Sequence, residues 1–140
     1  MLYLRVREKA WLWLRAARRD LGRAEYSLKV GDRAAATFWS QQAAEKALKG
    51  LLLAFKGDYP KTHSIRRLLE DLGLDLGLSE GELEDAFELT QYYYLSRYPD
   101  VVEELPDEVI GRRSAERAVN AARRIVEAAE RALEEASKGD

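Results

Sequence analysis

At 140 residues, with 46% apolar and 34% charged side chains, the chain is long enough for one hydrophobic core and too apolar to stay disordered. It has no cysteine and a single histidine, His63, which excludes disulfides, thiolate zinc sites and any multi-histidine metal site within one subunit. The net charge of −2 conceals an asymmetry: residues 1–33 hold nine basic and four acidic side chains, while residues 75–108 hold eleven acids and one base, Arg97.

The first predicted helix runs from about Tyr3 to Val30. Val6, Ala10, Trp13, Ala17, Leu21, Ala24 and Leu28 recur at spacings of three and four and draw one apolar stripe. Gly31 supplies the stop and Asp32 a side-chain cap for the next helix. That second helix, about Arg33 to Lys56, is apolar over a wide arc. Phe38, Ala44, Leu48, Leu51, Leu52 and Phe55 form one side, and Ala43, Ala47, Gly50 and Ala54 a neighbouring stripe of small residues. A glycine inside a helix costs about 1 kcal/mol relative to alanine, so Gly50 implies close approach of another backbone. Gln42, Glu45, Lys46 and Lys49 make the remaining strip, expected to be a solvated face with an i, i+4 pair between Glu45 and Lys49.

After the loop at Gly57 to Lys61, Thr62 is placed to cap a short helix carrying Ile65, Leu68, Leu69 and Leu72. Ser79 with Glu82 forms a capping-box pattern opening a second short helix, whose expected buried face is Leu83, Ala86, Phe87, Thr90 and Tyr94. Arg97 to Asp107 reads as a long loop. A last helix, from Asp107 or Arg112 to Ala136, keeps Ala115, Val119, Ala122, Val126, Ala129 and Leu133 on one stripe. The expected architecture is all-α: one domain over residues 1–140, an up-and-down antiparallel helical bundle of three long helices and two short ones.

The charged N-terminus (Arg5, Arg7, Glu8, Lys9) is unlike a signal peptide, and the longest apolar run, Leu51 to Phe55, is too short to span a bilayer. A cytoplasmic location without membrane attachment is the expectation. Sixteen arginines against seven lysines suit a heat-adapted source. The opposed charges of the two segments suit intramolecular or subunit-to-subunit pairing at least as well as nucleic-acid binding.

No phosphate loop, nucleophile elbow or zinc-protease pattern occurs, and no cofactor is expected. His63 reads either as a loop anchor bonded to nearby backbone or as a proton donor or acceptor. The stretch Tyr92-Tyr93-Tyr94-Leu95-Ser96-Arg97-Tyr98-Pro99-Asp100 offers rings for stacking and a guanidinium for phosphate. Some of those rings must be core, and Tyr94 is the one the helical spacing selects. Arg97 serves equally well as a partner of Asp100. Lys46, Lys49 and Arg97 are the candidate cations of a shallow groove for a nucleotide phosphate.

The run Phe38-Trp39-Ser40-Gln41-Gln42-Ala43-Ala44-Glu45-Lys46-Ala47-Leu48-Lys49-Gly50 resembles the signature second helix of HEPN domains. Lys61-Thr62-His63-Ser64-Ile65 and Ser96-Arg97-Tyr98-Pro99-Asp100 fall where that family has its other characteristic stretches, and the similarity extends from about Ala10 to Ala132. The resemblance implies a helical bundle that forms homodimers, nucleotide binding (here at Lys46, Lys49, His63, Arg97 and Tyr98), and partnership with a minimal nucleotidyltransferase in a toxin–antitoxin-like pair. It also implies metal-independent ribonuclease activity in members where an arginine is followed, after four to six residues, by a histidine. This chain has Val102, Glu103 and Glu104 there and no histidine after His63. A non-ribonuclease binding module is therefore the expectation. The alternatives are a ribonuclease toxin with a variant site using His63 and Arg97, and a purely structural docking subunit.

Overall fold

The computed structural model describes residues 2–96 and 104–138. Helix α1 spans Leu2–Lys29, α2 Arg33–Lys56, α3 Ile65–Leu72, α4 Glu80–Glu88, α5 Gln91–Leu95, α6 Pro106–Val109 and α7 Arg112–Lys138. The three long helices form the antiparallel bundle the periodicity predicts, and no strand occurs among the described residues. None of the described helices is long and apolar enough to cross a membrane.

The α1–α2 hairpin follows from local chemistry. Gly31 takes φ 83°, and the Asp32 carboxylate accepts from the Ala35 amide. The left-handed turn and the cap together stop one helix and start its neighbour. Ala10, Leu14, Ala17 and Leu21 are buried with Ala43, Ala47, Leu48 and Leu51. Small residues bring the two backbones together, most closely at Gly50. A β-carbon there would lie 2.9 Å from Trp13 Cβ and 3.1 Å from the Ala10 carbonyl oxygen. The glycine is a steric requirement.

α2 is the centre, packed between α1 and α7 and also touched by α3, α5 and α6. The wide arc of α2 needs cover on several sides, and α7 supplies much of it. Ala115, Val119, Ala122, Val126, Ala129 and Leu133 of α7 are buried as expected, joined by Ala118, Ala121, Ile125 and Ala128.

Two expectations change. The cap of α3 is Ser64, whose hydroxyl accepts from the Arg67 amide, while Thr62 accepts from the Ser64 amide one step earlier. The expected single helix after Ser79 is broken into α4 and α5. Its capping box forms as read, but the chain then tightens: Leu89 N bonds Ala86 O, Tyr92 N bonds Leu89 O and Tyr93 N bonds Thr90 O. Three-residue turns advance the buried face faster than a 3.6-residue period does. Ala86, Leu89 and Tyr92 are therefore buried, and Tyr94, the ring expected in the core, is 47% exposed.

The charge asymmetry is matched partly within the chain. Arg117 of α7 bridges to Glu88 at 3.2 Å and Arg124 to Glu82 at 3.0 Å, covering acids of α4. Arg18 pairs with Glu130, and Arg123 with Glu25 at 2.9 Å, tying α1 to α7.

Candidate functional site

The strip of α2 expected to face solvent does so only in part: Gln42 and Lys46 are half-buried, while Glu45 and Lys49 are buried. Gln41, Glu45 and Lys49, each four residues apart, are all buried. Helical spacing stacks them on one face, and the loop between α2 and α3 closes over it. That loop is shaped by Gly57 at φ 81° and by bonds from the Thr62 amide to Pro60 O and the Ser64 amide to Thr62 Oγ1. Its far end is tied to the α4–α5 break, where Thr90 Oγ1 accepts from the Ile65 amide at 3.0 Å.

Glu45 is the hub. Its Oε1 accepts from Gln41 Nε2 at 2.9 Å and from His63 Nδ1 at 2.9 Å, and its Oε2 accepts from Lys49 Nζ at 3.0 Å. Gln41 also donates to the His63 carbonyl at 3.1 Å, so α2 holds both the backbone and the ring of that residue. Burial alone would raise the Glu45 pKa. The hydrogen bonds from Gln41, His63 and Lys49, with the Lys49 charge, outweigh it and hold the carboxyl below its ordinary value. An ionised carboxylate only accepts, so His63 Nδ1 carries the hydrogen at this contact, which in the neutral tautomer leaves the lone pair on Nε2.

On its other side His63 meets α5. Its ring stacks on Tyr93 with centroids 3.7 Å apart and planes 15° apart, and Tyr94 meets Tyr93 edge-on at 5.1 Å. The His63 side chain is still 41% exposed. The result is an imidazole fixed by a buried acid, backed by a phenol ring and open to solvent.

The two candidate lysines do not both reach it. Lys49 is buried against Glu45, with its ammonium 5.5 Å over the Tyr59 ring. Lys46 leans into the α1–α2 seam, 2.5 Å from Asp20, a buried acid that Arg23 also contacts at 2.6 Å. Arg97 and Tyr98 lie outside the described residues, as does the possible Arg97–Asp100 pair. The site thus joins His63 and Lys49 through Glu45 and separates Lys46 from them.

In the sequence Glu45 reads only as a local ion-pair partner, Tyr93 only as one ring of the aromatic stretch, and Gln41 only as a member of the signature run. The i, i+4 series Gln41, Glu45 and Lys49 is a usable signal of a shared face. Nothing local announces that a histidine eighteen residues from Glu45 completes it.

The sequence model of the HEPN domain family matches residues 10–133. The chain belongs to the HEPN family. Among solved structures it is similar to TT1696 from Thermus thermophilus, at 42% identity and a TM-score of 0.78, over 88% of this chain and 97% of that one. It is also similar to ST0689, described as an archaeal HEPN homologue, at 38% identity and a TM-score of 0.71, over 89% of this chain and 97% of that one. No curated protein matches it. The Glu45 hub therefore sits on the signature second helix of a HEPN domain.

Proposed function

We propose that this HEPN domain is a binding module that acts as a homodimer, holds a nucleotide by its base beside His63, and partners a minimal nucleotidyltransferase in a toxin–antitoxin-like pair. The observation that carries the nucleotide reading is the His63–Tyr93 stack, with Nδ1 held by Glu45. A ring already fixed in place loses little freedom when a base stacks on it. Stacking on an aromatic side chain contributes about 1–3 kcal/mol per base, and Nε2, which bonds in the ring plane, can reach the ribose or phosphate of the same nucleotide.

Lys46 and Lys49 act in this reading by pairing with Asp20 and Glu45, which shape the face, instead of gripping phosphate. Phosphate contact is assigned to Arg97 and Tyr98 on the sequence pattern. The dimer and the nucleotidyltransferase partner rest on family membership. Calorimetry with ATP, GTP and AMP tests the nucleotide part: saturable binding weakened about tenfold by His63→Ala is expected. No binding heat with any of the three would remove it. Sedimentation as a monomer at micromolar concentration would remove the dimer.

One observation favours a second reading, a ribonuclease with a variant site. A carboxylate on Nδ1 with Nε2 left for a substrate proton is the arrangement that orients a histidine for proton transfer. Arg97 would then stabilise charge on the phosphorus centre. Incubation of total RNA with wild type, His63→Ala and Arg97→Ala decides it. Cleavage indifferent to both substitutions would sink this site.

A further inference from the structure

Six of the cations of α1 fall into two groups. Arg7 donates to the Ala136 carbonyl at 2.8 Å, Arg18 pairs with Glu130, and Arg23 pairs with Asp20. Arg7 and Arg18 tie α1 to α7, and Arg23 braces the Asp20 carboxylate that also receives Lys46 of α2. Lys9, Arg15 and Arg19 have no acidic partner among the described residues, and they flank one exposed aliphatic side chain, Leu12, 58% exposed.

Leu12 forms a ridge between two hollows. One, of about 230 Å³, is lined by Lys9, Leu12, Trp13 and Ala16. The other, of about 380 Å³, is lined by Glu8, Trp11, Leu12 and Arg15. An apolar ridge with a hollow on each side is the relief that a second helix packs against, its own side chains entering the grooves. An apolar centre with a charged rim is also the usual layout of a protein-binding surface.

We propose that this face of α1 docks an amphipathic helix of a partner protein, with aliphatic side chains on one face and Asp or Glu along its flanks. The charge decides the occupant. Lys9, Arg15 and Arg19 outnumber the one acid of the rim, Glu8, and have no acidic partner among the described residues, so an acidic helix is attracted and guided into place. A second copy of α1 would bring Lys9, Arg15 and Arg19 toward their own equivalents, which is repulsive. RNA is disfavoured because the most exposed side chain of the centre is aliphatic, and Trp11 beside it is partly buried against the core. The partially exposed Trp13 ring is edge-on to Tyr59 at 5.5 Å, and Glu8 on the rim repels phosphate. This gives the partner half of the proposed function a surface. It rests on that reading only in taking the domain as a binding module, and a failure of nucleotide binding leaves it standing.

The test is fluorescence anisotropy with a labelled synthetic helix of about twenty residues, long enough to hold helical structure. It carries leucine at i, i+3, i+4 and i+7 and glutamate on its flanks. A matching peptide with lysine for glutamate and a single-stranded RNA are the comparison probes. The full chain is measured beside Leu12→Glu, the double variant Arg15→Glu/Arg19→Glu, and Arg113→Glu as a distant charge control, with thermal melting recorded for each. The expected result is binding of the acidic peptide, weakened about tenfold or more by Leu12→Glu and by the double variant, and unchanged by Arg113→Glu. The lysine peptide is expected to bind about tenfold more weakly or worse. Equal binding of both peptides, no binding of the acidic one, or indifference to both ridge variants would overturn the proposal. RNA binding lost on Leu12→Glu would reassign the ridge to nucleic acid. A dimer that becomes a monomer on Leu12→Glu would reassign it to a second copy.

Discussion

Glu45 holds His63 by its Nδ1 nitrogen across 2.9 Å, joining the middle of α2 to the loop that precedes α3. The same carboxylate neutralises the buried Lys49. It therefore serves two purposes: it offsets a cation inside the fold and sets the orientation of a ring at the surface.

Replacing Glu45 with glutamine keeps the shape of the side chain but leaves Lys49 buried without a counter-charge. Removing one partner of a buried pair costs about 3–5 kcal/mol, and some residual exposure at this pair lowers the expectation to about 2–3 kcal/mol. Urea unfolding of Glu45→Gln measures it. A loss below about 0.5 kcal/mol would mean that the pair contributes nothing to the fold.

The acid limb of stability carries the same signature. Hydrogen bonds hold the folded-state pKa of Glu45 below its ordinary value of 4.5. Its contribution is therefore complete above pH 4.5 and is lost as pH falls through the lower folded-state value. Melting curves recorded from neutral pH downward should show wild type losing its advantage over Glu45→Gln below that point. Parallel curves would place the carboxyl at its ordinary value in the folded state.

Gly50 and Gly22 are expected to respond in opposite directions to alanine. At Gly50 the new methyl group meets Trp13 Cβ and the Ala10 backbone, an overpacking cost of about 1–3 kcal/mol set against a helix gain of about 1 kcal/mol. Net destabilisation of about 1–2 kcal/mol is expected, because one of the atoms met is backbone and cannot turn aside. Gly22 is exposed in mid-helix with nothing within 4 Å of the added methyl, so alanine there should stabilise by about 1 kcal/mol. Denaturant unfolding of the two variants reads both signs.

Tyr92 and Tyr94 should likewise separate. Truncating the buried Tyr92 to alanine is expected to cost about 3 kcal/mol. Tyr94→Ala should cost less than about 1 kcal/mol, chiefly its edge contact with Tyr93. Equal losses would contradict the tightened turns between α4 and α5.

What is legible in the sequence is what neighbouring residues decide. Gly31 with Asp32, the Ser79–Glu82 capping box, the α7 stripe and the demand for glycine at position 50 all follow from spacings within one or two turns. The exchange of Tyr94 for Tyr92 arises because a 3.6-residue period does not carry through a segment that turns every three residues. The site is harder to read. The Glu45–His63 contact spans eighteen residues of chain and the Asp20–Lys46 contact twenty-six, and hydrophobic periodicity contains no register for such polar meetings. Lys46 and Lys49 share a strip on a helical wheel, yet one leans into α1 and the other reaches Glu45.

His63 is the only histidine in the chain, so its imidazole signals in a proton–nitrogen NMR spectrum need no assignment by mutation. Titration with AMP reads at the ring itself whether a base stacks beside His63. The His63 ring signals are predicted to shift and saturate with the nucleotide as the base stacks on them, while Nδ1 stays protonated against Glu45. Ring signals that stay still at saturating AMP, or that move identically in Tyr93→Ala and wild type, would contradict it.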